Sequence, residues 1–366
     1  MSTLKDLSRL IVNRSLNLQK GERVLVDILG DAAEFTNLII EAIYSVGAIP
    51  SIRTISIQEL KTIMKNCPND LVSTWAESEI NKFKGIDAYI GIRVDQNVYE
   101  FNDIDENKYK LFLEHYFKPQ QLKMASLDRW LLLKQPTYGL AQLANMSLEE
   151  FEKVFIQSSC YDFSVMESQI KELSRLLSLT ERVRIVSPGT DLSFSIKGIP
   201  NFICDGHYNL PDGEIFTAPI KDSVEGHISF NLPSYFLGQV FENVKLTFEN
   251  GKVTKAESNN TEKLLEIINS DSGSSRVGEF GIGFNPLINK PFRNTLFDEK
   301  MQGSIHLALG QPFGMTDNGN ESEIHWDLVL CQLKEFGGGE LHFDDVLVRK
   351  DGIFLSTLEP LNGLKV

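Results

Sequence analysis

Residues 20–28 read KGERVLVDI, a turn that leads directly into a short apolar run. The turn contains Gly21, and the apolar run Val24–Ile28 has the length of a buried strand. Before the turn, between residues 4 and 16, leucine and isoleucine side chains recur at roughly helical spacing. The stretch therefore predicts a helix, a turn and a strand in that order, which is the pattern that begins an α/β layer.

The same alternation continues through the first hundred residues. Asp31 stands where a cap would begin a helix over residues 32–44, and a strand over residues 49–55 follows. Another strand is predicted over residues 88–94. Strands that alternate with helices of this length pair in parallel. We therefore predict an α/β N-terminal domain with a small, mainly parallel sheet over residues 1–105.

The remaining sequence divides into a helical part and a β-rich part. Residues 106–180 are mainly helical in pattern and are predicted to form a connecting segment, in which Ser147 and Glu150 make a capping box. After residue 180 the pattern changes to short alternating apolar runs separated by Gly, Asn, Pro and Asp. Residues 181–366 are therefore predicted to form an α+β, β-rich C-terminal domain. A chain of 366 residues has the length of about two ordinary domains.

Charge and cysteine usage exclude several classes of function. The chain has 36 basic and 50 acidic residues, and its net charge of −14 disfavours nucleic acid and anionic membranes as partners. Charged residues interrupt the N-terminal leucines, and no run of eighteen apolar residues occurs, so we expect neither an export signal nor a membrane span. The four cysteines form no Cys-x-x-Cys motif. We expect them to be buried thiols in a reducing cytoplasm.

Two of the six histidines lie in runs that have the composition of strands. Successive side chains of a strand point to opposite faces, so His325 and Asp327 should project side by side while Trp326 faces the other way. His306 occupies the same kind of position in another apolar run. A single strand histidine is more often a hydrogen-bonded core or surface group than a metal ligand. The histidine and aspartate on one strand favour a ligand role more than any isolated histidine does.

Two glutamates stand beside glycines that would let backbone or an ion approach closely. Glu214 follows the turn at residues 211–213, and Glu279 lies in VGEFGIG, residues 277–283. Each glutamate alone is typical of a surface turn or a strand end. Together with the histidines and Asp327, they form a mixed nitrogen and oxygen donor set suited to Zn²⁺, Co²⁺, Mn²⁺ or Mg²⁺. The set is too rich in carboxylate for a purely structural zinc site.

Four motifs in this half of the chain, taken in order, resemble those of one known family. They read NLPDGEIFTAP at residues 209–219, VGEFGIGFNP at 277–286, DEKMQGSIHLALG at 298–310 and NESEIHWD at 320–327. Their wording and order are similar to those of the thermophilic-type metalloaminopeptidases, peptidase family M29. The resemblance covers essentially the whole chain. It implies a homodimeric aminopeptidase, located in the cytoplasm, that releases N-terminal amino acids from short peptides.

The resemblance further implies a dinuclear site with two divalent metal ions per chain. The ligand positions fall on Glu214, Glu279, His306, His325 and Asp327. Two dications close together repel each other and need several carboxylates to coexist, and together they lower the pKa of a shared water to give a bridging hydroxide. Glu279 is the candidate that also handles the proton. We expect Lys300 to be an ion-pair partner.

One position departs from the family pattern, which has a tyrosine seven residues after the first histidine ligand. That catalytic position is Phe313 here. A phenyl ring lacks the hydroxyl, and one lost oxyanion donor is worth about 10²–10³ in rate. Either the loop is rearranged and another group substitutes, or the chain is a catalytically impaired, metal-binding relative.

A mononuclear Fe²⁺ ring-cleaving dioxygenase on the same scaffold is a further alternative. It would use His306, His325 and Asp327 as its metal triad. The presence of both Glu214 and Glu279 favours the dinuclear peptidase, because an iron triad gives these two carboxylates no role.

Overall fold

The computed structural model describes residues 2–363 of the chain. Within them the α-helices are α1 (Leu4–Leu10), α2 (Ala33–Ser45), α3 (Ile57–Asn66), α4 (Val72–Ile80), α5 (Glu106–Phe112), α6 (Lys118–Ala125), α7 (Tyr138–Leu143), α8 (Leu148–Ser159), α9 (Glu167–Leu179), α10 (Thr261–Ile268) and α11 (Thr295–Asp298). Short π-helical or 3₁₀ turns lie at Ile11–Ser15, Asn69–Leu71, Asn81–Phe83, Leu113–Phe117, Phe163–Met166, Gly314–Thr316, Lys334–Phe336 and Ser356–Asn362. None of the described helices is long and apolar enough to cross a membrane.

The strands are numbered in chain order. They are β1 (Arg23–Leu29), β2 (Ile49–Ile55), β3 (Ala88–Arg93), β4 (Trp130–Lys134), β5 (Arg182–Ser187), β6 (Thr190–Ser195), β7 (Phe202–Cys204), β8 (Asn209–Leu210), β9 (Glu214–Thr217), β10 (Glu225–Ser229), β11 (Ser234–Phe236), β12 (Gln239–Phe241), β13 (Lys245–Glu249), β14 (Lys252–Glu257), β15 (Val277–Gly283), β16 (Ser304–Gly310), β17 (His325–Cys331), β18 (Glu340–Phe343), β19 (Val346–Lys350) and β20 (Ile353–Phe354).

The chain forms two compact units. The first runs from the N-terminus to Cys160 and includes Gly206–Pro211, and the second comprises Tyr161–Asp205 and the chain from Asp212 onward. Helices of the predicted connecting segment occur in both units, because α5 to α8 belong to the first and α9 to the second. The division into segments at residues 105 and 180 stays a prediction.

The first unit is built around a parallel sheet with the strand order β2-β1-β3-β4-β8. β1 lies between β2 and β3 and is buried from Val24 to Ile28. Burial on both faces explains its continuous apolar run, since strands of a parallel sheet have no solvent-facing side. The two-residue strand β8 joins the far edge of the sheet. The predicted α/β fold with a small, mainly parallel sheet is confirmed.

One carboxylate lies inside this sheet. Asp27 of β1 is 1% exposed and accepts hydrogen bonds from Arg53 at 2.6 and 2.7 Å and from the Tyr89 hydroxyl at 2.6 Å. Arg93 contacts the same carboxylate at 3.3 Å. Burial raises the pKa of Asp27, but the positive charges of Arg93 and Arg53 outweigh that effect and hold it below its usual value. The group is therefore an anion buried among cations.

The second unit contains the β-rich part of the chain. An antiparallel sheet has the order β14-β13-β10-β6-β5-β18-β19-β20, and β11 pairs only with β12 among the described strands. A further antiparallel sheet has the order β17-β16-β15-β9-β7. All residues of β15 and β16 are buried, so this sheet lies in the core of the unit. The predicted β-rich C-terminal part is confirmed.

Candidate metal centre

The five predicted metal ligands lie on four adjacent strands of the buried sheet in the second unit. Glu214 begins β9, Glu279 lies in β15, His306 in β16, and His325 and Asp327 in β17. The strand order brings residues together that are as much as 113 positions apart in the chain. The cluster is mostly inaccessible to water, because Glu214, Glu279 and His306 are each less than 5% exposed.

Strand alternation explains why His325 and Asp327 share one face of β17. Trp326 between them is buried on the other face, where its indole N–H donates to Ser234 Oγ at 2.9 Å and its ring stacks on Phe236 at 4.9 Å between centroids. His325 Nε2 lies 3.6 Å from Asp327 Oδ1. The nitrogen and the carboxylate therefore converge, as the sequence pattern predicts.

A backbone carbonyl fixes the His325 imidazole. The Nδ1 atom lies 2.7 Å from the Gln311 carbonyl oxygen. Since a carbonyl oxygen only accepts, the ring proton resides on Nδ1, and the Nε2 lone pair of the neutral ring points toward the carboxylates. Nε2 lies 4.0 Å from Glu279 Oε2. An imidazole oriented through its other nitrogen is the usual arrangement of a metal-binding histidine.

His306 links the carboxylates of β9 and β15. Its Nε2 atom lies 2.9 Å from Glu279 Oε1 and 3.5 Å from Glu214 Oε2. Burial lowers the pKa of His306, but the hydrogen bond to Glu279 and the charge of Glu214 outweigh that effect and raise it to about 10. In the metal-free chain, the His306 ring is therefore protonated, and its positive charge is stabilised by the surrounding carboxylates.

Burial also changes the acidity of Glu279. It raises the pKa of this carboxyl group, although the hydrogen bond from His306 and the charge of His325 act in the opposite direction. The pKa of His325 is raised as well, because the charges of Asp327 and Glu279 outweigh its burial. The raised pKa values of the two histidines reflect the negative charge of the surrounding carboxylates, which a bound cation would neutralise in place of protons.

Four buried polar atoms of the cluster have no hydrogen-bond partner among the described residues. They are Glu214 Oε2, Glu279 Oε2, His306 Nδ1 and Asp327 Oδ1. Buried carboxylate oxygens without a partner are costly, and a divalent cation satisfies several of them at once. The residues therefore fit a metal centre.

The spacing of the donor atoms supports the same conclusion. Glu279, His325 and Asp327 offer one ligand atom each, and these atoms all lie within 4.8 Å of one another. Two ligands of one tetrahedral zinc ion, at bond lengths of about 2.0–2.2 Å, stand about 3.3–3.6 Å apart. Glu299, His306 and Asp327 form a second group of the same kind. Asp327 belongs to both groups.

A comparison with known proteins identifies the family. The sequence pattern of the thermophilic metalloprotease (M29) family matches residues 1–352. The chain belongs to the M29 family. The resemblance found in the four motifs is thereby confirmed.

Relatives within the M29 family match over nearly their full length. Aminopeptidase AmpS of Bacillus subtilis (strain 168) is 26% identical over 388 residues, covering 95% of this chain and 93% of AmpS. Aminopeptidase PepS of Streptococcus thermophilus is 21% identical and covers 94% of each chain. The solved structure of wild-type AmpT from Thermus thermophilus superposes with a TM-score of 0.80 at 20% identity, covering 96% of this chain and 99% of AmpT. This last likeness supports the fold.

The sequence reasoning missed an additional buried carboxylate beside the predicted ligands. Glu299 is only 8% exposed, and its ligand atom lies within 4.8 Å of those of His306 and Asp327. Burial raises its pKa to about 8 against the opposing charge of Lys300. The three consecutive charged residues 298–300 are typical of a solvated turn, so composition gave no sign of burial. Only the position of this run inside a family motif could have indicated it.

Cys204 and Asp212 were also missed. Both are buried, and their ligand atoms form a group with that of Glu214. Burial raises the pKa of the Cys204 thiol well above its usual value, so this sulfur is protonated and a poor ligand as it stands. Asp212 lies in a Pro-Asp-Gly sequence that predicts an ordinary turn.

Phe313, which the motif resemblance places at the position of a family tyrosine, lies at the cluster. Its ring centroid is 4.9 Å from that of His325 and 5.7 Å from that of Phe216. The loop between β16 and β17 therefore keeps an aromatic ring against a predicted ligand. What the substitution removes is the hydroxyl group, not the packing surface.

Proposed function

We propose that the chain releases N-terminal amino acids from short peptides at a dinuclear site formed by the cluster. The ligands in this proposal are Glu214, Glu279, His306, His325 and Asp327. The observation that carries it is the set of four buried polar atoms without hydrogen-bond partners, three carboxylate oxygens and one imidazole nitrogen, since a bound cation would satisfy several of them. Zn²⁺, Co²⁺, Mn²⁺ and Mg²⁺ all suit such a mixed donor set.

The broader class is that of a metal-dependent aminopeptidase. M29 is a metalloprotease family, and the relatives that match over nearly their full length are named aminopeptidases. The predicted class of hydrolase is therefore confirmed. No observation favours the iron dioxygenase, which would leave Glu214 and Glu279 buried with no role.

The metal ions would supply a water of lowered pKa and a polarised scissile carbonyl group. The chain's own residues hold and orient the reacting groups. Glu279 contacts His306 through Oε1 and has Oε2 without a hydrogen-bond partner, so this carboxylate is the one that we assign both to a metal ion and to proton transfer.

The proposal extends to assembly and location. We infer a homodimer in the cytoplasm, as the family resemblance implies. All four cysteines are free thiols, and Cys204 and Cys331 are buried, which suits a reducing compartment. Light scattering coupled to size-exclusion chromatography would measure the oligomeric state, and a monomeric mass would contradict the dimer without affecting the site.

Metal analysis combined with a substrate panel tests the proposed activity. The purified protein is stripped with a chelator, reloaded with Zn²⁺, Co²⁺ or Mn²⁺, and assayed with chromogenic aminoacyl substrates and their N-acetylated forms. We expect about two ions per chain and cleavage of the free-amine forms only. One iron per chain with no peptide cleavage would overturn the proposal.

Substitutions distinguish the cluster from the rest of the unit. Glu279→Gln keeps the size of the side chain and removes its charge, and should lower kcat/KM by at least about 10²-fold. Glu249→Gln changes an exposed glutamate at the end of β13 and should leave the rate unchanged. Equal rates for the two variants would argue against the site.

A further inference from the structure

Two charged residues outside the predicted ligand set are buried at the edge of the cluster. Lys300 is fully buried, and Glu299 is 8% exposed. They follow the short helix α11, whose start is fixed by the Asn294 side chain accepting from the Leu296 amide. Ser304 Oγ donates to the Glu299 carbonyl at 3.0 Å. The backbone is therefore held so that both side chains point inward.

The Lys300 ammonium group bridges two carboxylates. Nζ donates to Glu214 Oε1 at 2.7 Å and also to Glu299 Oε1. Two carboxylate oxygens within hydrogen-bond distance of one buried Nζ atom are the environment of an ammonium group. Because Lys300 occupies Oε1 of Glu214, the partnerless oxygen of Glu214 is Oε2, which lies beside His306.

Glu299 itself faces the cluster. Its ligand atom groups with those of His306 and Asp327, as described above. Four acidic side chains, those of Glu214, Glu279, Glu299 and Asp327, are thus collected in one cluster, and Lys300 contacts two of them, Glu214 and Glu299. A structural salt bridge alone needs one carboxylate for one ammonium group, so Lys300 does not account for all four.

We propose that Glu299 and Lys300 set the metal affinity of the centre as one unit. Lys300 is a positioning residue that presents Glu214 Oε2 and the Glu299 carboxylate to the metal. Glu299 thereby joins the five proposed ligands as a sixth side chain that can bind the metal. This inference rests on the proposed dinuclear site and deepens it.

The proposal predicts that removal of Lys300 weakens metal binding, which is opposite to the effect expected from charge repulsion alone. If Lys300 were only a neighbouring positive charge, its removal would relieve repulsion and strengthen cation binding. If it positions two carboxylates, its removal releases them and weakens binding. Loss of a residue that orients a ligand typically costs about 10- to 100-fold in metal affinity.

The test measures metal binding directly, by chelator competition and by the visible absorption of the Co²⁺-loaded protein. We expect Glu299→Gln and Lys300→Met each to weaken the binding of at least one ion by about 10- to 100-fold and to alter the Co²⁺ spectrum. Lys350→Met is the matched control, because Lys350 forms an exposed salt bridge with Glu340 at 3.1 Å in the same unit. It should bind metal as the unsubstituted chain does.

A double variant covers the case in which one single variant fails to fold. Glu299→Gln with Lys300→Met removes both members of the Glu299–Lys300 pair together, so that neither stays buried without the other, and metal bound to Glu214 compensates that carboxylate. Wild-type affinity and spectrum in the double variant, or tighter binding in Lys300→Met, would overturn the inference while leaving the dinuclear site intact. An unsubstituted chain that binds no divalent ion would instead refute the proposed function, and this inference with it.

Discussion

The His306 imidazole lies directly against the backbone of Gly281 on the neighbouring strand. The two residues are opposite each other in the register of β15 and β16. A Cβ atom on Gly281 would stand 2.0 Å from His306 Cε1 and 2.2 Å from Nε2, distances that no folded protein accommodates without movement. The absence of a side chain at Gly281 therefore permits the position of His306 between Glu214 and Glu279.

Gly281→Ala should consequently displace the His306 ring. We expect a loss of at least about 10²-fold in kcat/KM, since a shift of about 1 Å in a catalytic group has that effect, and a destabilisation of about 1–3 kcal/mol from overpacking. Activity assays and urea unfolding would measure the two effects.

Gly314→Ala is the matched control for that substitution. A Cβ atom on Gly314 would have no other atom within 4 Å, and the backbone there does not need a positive φ. The variant should retain the rate and stability of the unsubstituted chain. A Gly281→Ala protein with unchanged metal binding and activity would show that the position of His306 is not required.

Phe313→Tyr restores the hydroxyl group that the family pattern predicts. The Phe313 ring already packs on His325, with 4.9 Å between the ring centroids, so the substitution keeps this packing surface and adds one donor. We expect kcat to rise, by up to about 10²–10³-fold if the hydroxyl supplies a full oxyanion donor. Steady-state kinetics with a chromogenic aminoacyl substrate would measure the change.

Phe336→Tyr provides the comparison for Phe313. Phe336 is also partly buried in the second unit and lies in the 3₁₀ turn Lys334–Phe336. Its substitution should leave kcat unchanged. An unchanged kcat in Phe313→Tyr as well would mean that another group already performs the task of the missing hydroxyl.

Asp27→Asn should destabilise the first unit. The change leaves Arg53 and Arg93 without the buried anion that they share, and breaking a buried ion pair on one side costs about 3–5 kcal/mol. Hydrogen exchange of the β1 and β2 amides would detect the loss within this unit. Asp70→Asn, at an exposed aspartate of the same unit, should have little effect.

The same substitution has a defined pH dependence. The folded pKa of Asp27 lies below the unfolded value of about 3.9, so its stabilising contribution is complete above that value and is lost as the pH falls through the folded pKa. The stability difference between the unsubstituted chain and Asp27→Asn should therefore be constant from about pH 5 to 8 and shrink only below about pH 4. A difference that shrinks near neutral pH would contradict this assignment.

Local periodicity predicted the parts of the fold that depend on neighbouring residues. The strand expected over residues 49–55 is β2, and the shared face of His325 and Asp327 follows from two-residue alternation alone. The pairing of distant strands could not be predicted in this way. Glu214 meets His306 only because β9 and β16 both flank β15, an arrangement set by contacts far apart in sequence.

Two further features, strand β8 and the burial of Glu299, are not indicated by the local sequence pattern. β8 consists of Asn209 and Leu210, which is too short a run for any pattern of alternation, yet it completes the parallel sheet. Glu299 belongs to a charged run that is typical of solvent, and its burial depends on the cation of Lys300 and on the neighbouring strands. In both cases tertiary contacts outweigh local composition.

Metal removal should destabilise the second unit selectively. Without a bound cation, the buried carboxylates repel one another and several donor atoms lack partners. A ligand present at 100 times its Kd adds about 2.7 kcal/mol to the stability of the state that binds it. Hydrogen exchange compared with and without a chelator should show slower exchange of β15, β16 and β17 when metal is bound, and no change in β1 to β3.

His306→Ala should abolish this difference, whereas His342→Ala, which removes a partly exposed histidine paired with Glu340, should preserve it. Equal protection of both units by metal, or protection that survives in His306→Ala, would place the metal elsewhere in the chain.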